Sequence, residues 1–162
     1  MVFWVPILAW VAVLVCAAIG VARASAPRGV RLIADQLLRY ANLFPVGLMG
    51  LWGALGHIVF PVQSAAAIGW ANSPFQYEVG VANLGIGLAG VIAAIWPNWG
   101  FRAATAVMVA AFLGGAAIGH LVQISSTGNL AVGNAGPILY TDVLTPLALI
   151  ILLALTFRRA RG

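Results

Sequence analysis

Ala54-Leu55-Gly56-His57-Ile58-Val59 and, 63 positions further on, Ala117-Ile118-Gly119-His120-Leu121-Val122 are one six-residue pattern written twice. The register holds beyond it. Pro74 and Pro137 each stand 17 residues after their histidine, Tyr77 and Tyr140 each stand 20 after, and an acid closes each unit, Glu78 at 21 and Asp142 at 22. The two histidines of the chain and two of its three acids thereby occupy matching places in an internal duplication. The symmetry of a duplicated fold brings such places together, so His57, Glu78, His120 and Asp142 are expected to meet.

The composition around these words fixes the solvent. The 162 residues are 63% hydrophobic and only 7% charged, with a mean hydropathy of +1.05, whereas a water-soluble domain carries roughly 25% charged residues. An integral membrane protein follows, with the lipid bilayer as its first partner. The formal charge of +5 comes from eight arginines parcelled among short segments between apolar runs. That pattern reads as membrane topology rather than as a nucleic-acid surface. The single cysteine, Cys16, excludes an intrachain disulfide.

Five spans can be read outward from the repeats. Residues 2 to 21 are uncharged and long enough for a membrane helix of ~20 residues. The Ala-Arg-Ala-Ser-Ala that follows imitates a signal-peptidase site, but its arginine comes after the apolar run instead of before it, so 1–24 is read as a retained N-terminal helix. Repeat 1 covers 30–96. Arg31, Asp35 and Arg39 share one helical face at its start, with Asp35 expected to pair with these arginines. Pro45 is expected to kink the helix that follows. Glycines at 47, 50, 53 and 56 leave a bare groove ending at His57, read either as a helix-packing surface or as room for a planar ligand. Residues 62 to 78 read as a loop, closed by Asn72 or Ser73 as N-cap of a helix carrying Glu78 in its first turns. Repeat 2 covers 101–157 and has Gly115 and Gly119 as a GxxxG pair before His120. Gly53, Gly56, Gly115 and Gly119 are the expected helix-packing glycines. The fold expected is an all-α polytopic bundle of five transmembrane helices, with a four-helix core of two parallel hairpin repeats plus the N-terminal helix.

All eight arginines lie in segments 22–39, 97–102 and 158–162, and the two loops on the opposite side hold none. The positive-inside rule then sets the N-terminus outside, the C-terminus in the cytoplasm and both histidines near the outer face of the cell membrane.

Ionisable side chains at membrane depth cost at least ~2.5 kcal/mol on insertion scales and are functional candidates by default. His57, Glu78, His120 and Asp142 are expected to surround one outward-facing polar pocket, with Tyr77, Tyr140, Asn83 and Gln123 at its edge. Several chemistries suit two imidazoles and two carboxylates. One is a first-row transition metal. Another is haem held between two histidines against the glycine grooves. A third is proton handling for a quinone or a transported solute, since imidazole titrates near pH 6.5. A non-catalytic membrane subunit, packed against a membrane protein partner or as a homo-oligomer, is the reading from a different class.

Arg39, the glycine-spaced helix ending Gly56-His57-Ile58-Val59-Phe60-Pro61, and Ser73-Pro74-Phe75-Gln76-Tyr77-Glu78-Val79-Gly80 with Ala82-Asn83-Leu84-Gly85 resemble the DoxX-like group of small bacterial membrane proteins over residues 39 to 157. The resemblance implies a four-helix unit and a redox or accessory role. The extra N-terminal helix and the acid in each repeat depart from that pattern.

Overall fold

The computed structural model describes residues 2–25 and 27–157. The arginines expected to end the last span, Arg158, Arg159 and Arg161, lie outside the described residues. Every element is helical: α1 (Val5–Arg23), α2 (Val30–Val59), α3 (Pro61–Ile68), α4 (Phe75–Ile95), α5 (Trp99–Thr127), α6 (Val132–Ala135) and α7 (Pro137–Thr156). Five stretches, α1, α2, α4, α5 and Val132–Thr156, are long and apolar enough to cross a membrane. In hydrocarbon each backbone polar group needs an internal partner, and a helix supplies one within its own segment.

The chain is therefore an all-α polytopic membrane protein. α2 pairs with α4 and α5 with α7 as two hairpins, and α1 lies against α2 and α7. The two hairpins close on each other through α2 with α7 and α4 with α5. The connections α1–α2 and α4–α5 and the end of α7 gather at one end of the bundle, here the arginine end. α3 and α6 lie at the other, the histidine end.

Glycine decides the closest crossing. A Cβ placed on Gly50 would lie 2.7 Å from the backbone of Gly87, and one on Gly90 would lie 2.6 Å from the nitrogen of Gly47. No larger residue fits between α2 and α4 there, so the groove read on α2 is closed by the backbone of α4 at Gly47 and Gly50, while Gly53 and Gly56 face the cavity at the histidine end. Gly115 and Gly119 behave otherwise, since a Cβ on either meets nothing within 4 Å. Their expected packing role is corrected: they face away from the helices of this chain.

α2 continues through Pro45 without a break. It widens into a π-helical stretch, Asn42–Leu48, in which Pro45 is buried. Proline has no N–H and crowds the preceding carbonyls, and the wider turn relieves both while the helix continues. Residues 62 to 78 are likewise not a loop throughout, because Pro61 opens α3 and Gly69, at φ 79°, ends it. Neither Asn72 nor Ser73 caps α4, whose N-cap is Pro74 without a side-chain bond. Asn98 does cap α5, accepting from the Phe101 N–H at 2.9 Å.

The arginine half is packed solid. Val13, Leu38, Val109 and Leu149 are fully buried among Ala34, Ala41, Ala106 and Leu153. Asp35 pairs with none of the arginines of its own helix. Its Oδ1 accepts from Nη1 of buried Arg102 at 2.8 Å, and Arg102 Nε donates to the Ala93 carbonyl at 2.9 Å, tying α2, α4 and α5 together. Arg31 Nη2 donates to the Thr156 carbonyl at the end of α7.

The histidine half is hollow. The Val30–Ala41 part of α2 runs along α7, while its Met49–Val59 part follows α4 instead, so α2 and α7 part toward the histidine end. The residues turned into that gap are small, Gly50, Gly53, Gly56, Ser64, Ala67, Ala116 and Gly133, and do not fill it.

Candidate functional site

A cavity of about 500 Å³ occupies this half of the bundle. Val46, Ile86 and Val109, which belong to the packed core, form its floor, and Met49, Phe112, Leu113 and Ile138 are apolar wall. Phe3 and Pro6 bring the start of α1 to its side, and α3 and α6 roof it. The polar lining gathers toward the roof: His57, Gln76, Asn83, His120, Thr141 and Asp142.

Three of the four ionisable residues singled out from the repeats, His57, His120 and Asp142, line this one cavity. Glu78 does not. It lies on the exposed side of α4, and Gln76 reaches the imidazole in its place, with His57 Nδ1 and Gln76 Oε1 2.5 Å apart. Tyr77 and Tyr140, 62% and 69% exposed, face outward and form no edge of the cavity. Gln123 does not line the cavity; near the end of α5 its side-chain Oε1 accepts from the Thr127 hydroxyl at 3.4 Å. Asn83 does line the cavity; its Nδ2 donates to the Val79 carbonyl, and its side chain lies against Gly53. Gly53 and Gly56 are cavity wall, with Asn83 and the Ser64 hydroxyl as their nearest neighbours.

The second histidine sits in a chain of amides. Asn134, fully buried, gives its Nδ2 hydrogens to the Asn129 carbonyl at 2.8 Å and to the carbonyl of His120 itself at 3.4 Å. Its Oδ1 is thereby turned to the imidazole, 2.7 Å from His120 Nδ1. An amide oxygen only accepts, so Nδ1 carries the hydrogen and a neutral His120 presents Nε2 as a lone pair. Asn129 continues the chain, donating from Nδ2 to the Ile68 carbonyl at 2.9 Å and accepting from the Ala131 N–H at 3.1 Å. The turns after α3 and α5 are thus hydrogen-bonded to each other, and that network holds the ring of His120. Trp70 covers it, ring centroids 6.2 Å apart.

His120 Nε2 faces Asp142, 3.7 Å from Oδ2. Both side chains are more than nine-tenths buried, and among the described residues no donor gives a hydrogen bond to the Asp142 carboxyl. Pro146, four residues on in α7, has no N–H to give to the Asp142 carbonyl. The position therefore concentrates acceptors: an open carboxyl, an imidazole lone pair and a carbonyl without its ordinary helical donor.

Sequence reading missed Gln76, Asn129, Asn134, Thr141, Trp52 and Trp70. For Gln76 a signal exists. It precedes Asn83 by seven residues and Gly80 by four, so helical spacing puts it on the inward face that Glu78 leaves. Asn134 carries no such signal, because α6 is a single turn whose direction only the fold sets.

Among the described residues no three His, Cys, Asp or Glu side chains are placed to hold a metal ion. The donors that come together are one imidazole and one carboxyl, with amides in the remaining positions.

The fold and the site thus define a five-span helical membrane protein with a cavity that is apolar at its floor and polar at its roof. The model of the family of unknown function DUF6790 matches residues 3–162, and the chain belongs to that family. This overturns the DoxX-like resemblance, which rested on short words common to glycine-rich membrane helices. No curated relative and no solved structure matches the chain.

Proposed function

We propose that this protein binds a small lipid-soluble molecule in the cavity at its histidine end and exchanges a proton with it through His120 and Asp142. The observation that carries the reading is the open imidazole–carboxyl pair at the polar roof of an otherwise apolar cavity. Ligand sites have this make-up, about 300–1,000 Å³ of mostly apolar wall with a few convergent polar groups. A contact serving only to pack helices needs no such pair, and leaving a carboxyl without a hydrogen-bond donor at membrane depth costs stability. The bilayer is the reservoir for the ligand in this reading, since the cavity is bordered by Phe3 and Trp52, both exposed on the surface of the apolar bundle. A quinone and a transported solute both fall within this reading. By the positive-inside rule the histidine end faces the exterior and the arginine end the cytoplasm.

The test is direct titration. Protein in lipid nanodiscs is mixed with a short-chain quinone and, separately, with a hydrophobic amine, and tryptophan fluorescence is followed, because Trp52 and Trp70 line the cavity. Saturable quenching by at least one probe, lost in His120→Ala, is the expected result. Quenching that stays linear for both, or that is the same in the variant, rejects the reading.

A further inference from the structure

We infer that the ligand of this cavity is a hydrophobic organic cation with N–H donors, and that its binding displaces a proton held between His120 and Asp142. The inference rests on the reading of the cavity as a binding site and names what it takes.

The open polar atoms at the roof are mostly acceptors. The Asn134 network fixes His120 so that Nε2 presents a lone pair, and the carboxyl of Asp142, a side chain only 5% exposed, receives no hydrogen bond from the described residues. His57, its Nδ1 likewise turned to an amide oxygen, offers its other nitrogen, and Asn83, with Nδ2 spent on Val79, offers its oxygen. A molecule that only accepts hydrogen bonds, such as a quinone, leaves these groups unpaired, and unpaired buried acceptors weaken binding. A neutral alcohol pairs one of them. An ammonium group brings up to three donors together with the charge that a buried carboxylate requires.

The titratable residues that line the cavity are His57 on α2, His120 on α5 and Asp142 on α7; those contributed by α1, α3, α4 and α6 are uncharged. Among the described residues no fixed cation lines the cavity opposite Asp142. In the empty site one proton shared by His120 and Asp142 keeps the pair neutral overall. When the ammonium arrives the proton leaves, the carboxylate takes the N–H donors, and the net charge of the site is unchanged. Aromatic wall suits the same ligand, since Phe3, Trp52, Trp70 and Phe112 all border the cavity and their ring faces attract cations.

The experiment compares three probes of like size in nanodiscs of zwitterionic lipid: 2-naphthylmethylamine, 2-naphthalenemethanol and a short-chain quinone. The amine is expected to bind at least about tenfold more tightly than either neutral probe, a margin typical of a desolvated charge pair. It should release close to one proton, read with a pH indicator in weak buffer. Its affinity should rise with pH by up to about tenfold per unit while that proton is being displaced. Asp142→Asn should level amine and alcohol and end proton release, and Asp142→Glu should restore both. Equal affinities in the wild type, a preference for the quinone, or an amine preference that survives Asp142→Asn overturns the cation while leaving a binding cavity. Failure of all three probes to bind the wild type removes the cavity reading as well.

Discussion

Gln76 and not Glu78 meets His57 because two residues along a helix turn the side chain by about 200°, onto the opposite face. The acid that the repeat places near the histidine thus goes to the exposed side, and an amide takes the inner position. On α7 the corresponding turn brings Asp142 inward, where it lines the cavity beside His120. The two halves therefore share a histidine–amide contact and differ in the carboxyl. This asymmetry sets the expected mutational pattern. Asn134→Leu removes the acceptor of His120 Nδ1 and a tie to Asn129, and should lower stability by about 1–3 kcal/mol, the cost of buried polar groups left unpaired. Glu78→Gln, on the exposed face, should stay within about 0.5 kcal/mol. Thermal unfolding in a mild detergent checks both. A Glu78→Gln loss equal to that of Asn134→Leu would contradict this assignment of inner and outer faces.

At the scale of elements, the glycines of α2 and α4 and those of α5 look alike in sequence as small-residue helix faces and have opposite roles in space. Between α2 and α4 the backbones touch, and a side chain at Gly87 would meet the Leu51 nitrogen at 2.7 Å. Gly87→Val should force the pair apart and destabilise by about 1–3 kcal/mol, the range for overpacking. Gly115→Ala, with nothing within 4 Å, should be neutral or slightly stabilising, since alanine is the better helix former by about 1 kcal/mol. Resistance to unfolding by denaturing detergent, compared for the two variants, reads the difference. Equal loss in both would mean that α5 packs through Gly115 against something as closely as α2 does against α4. The π-helical stretch around Pro45 belongs to this scale too. It lets a 30-residue helix continue through a buried proline that itself lines the cavity.

For the whole molecule, one half of the bundle is closed by alanine, valine and leucine and tied by Arg102 to Asp35, while the other is kept open by glycine and alanine under a roof of two short helices. The proposed orientation of this polarity, histidine end outward, follows from the arginine distribution under the positive-inside rule and is open to direct test. With Cys16 replaced by serine, a single cysteine at Ser126, on the histidine side, should react with an impermeant thiol reagent on intact cells, and one at Ser25, on the arginine side, only after lysis. The reverse pattern would turn the cavity toward the cytoplasm.

Much of this was legible in the residues themselves. Low charge and long apolar runs determine five helical spans, because lipid admits no other way of satisfying a single-chain backbone of this composition. The two histidines were found by their repetition, and Asp142 by the rarity of acids at membrane depth. Only the tertiary structure decided which of these groups meet. A repeat reports equal distance along the chain, whereas meeting depends on the angle around each helix and on where the connection folds. The connections here became α3 and α6 rather than free loops. That folding put Asn134 against His120, left Asp142 without a donor among the described residues, and turned Glu78, Tyr77 and Tyr140 outward. The glycine groove was plain in the sequence, but what lies across it depends on the fold: the backbone of α4 covers Gly47 and Gly50, and the cavity takes Gly53 and Gly56.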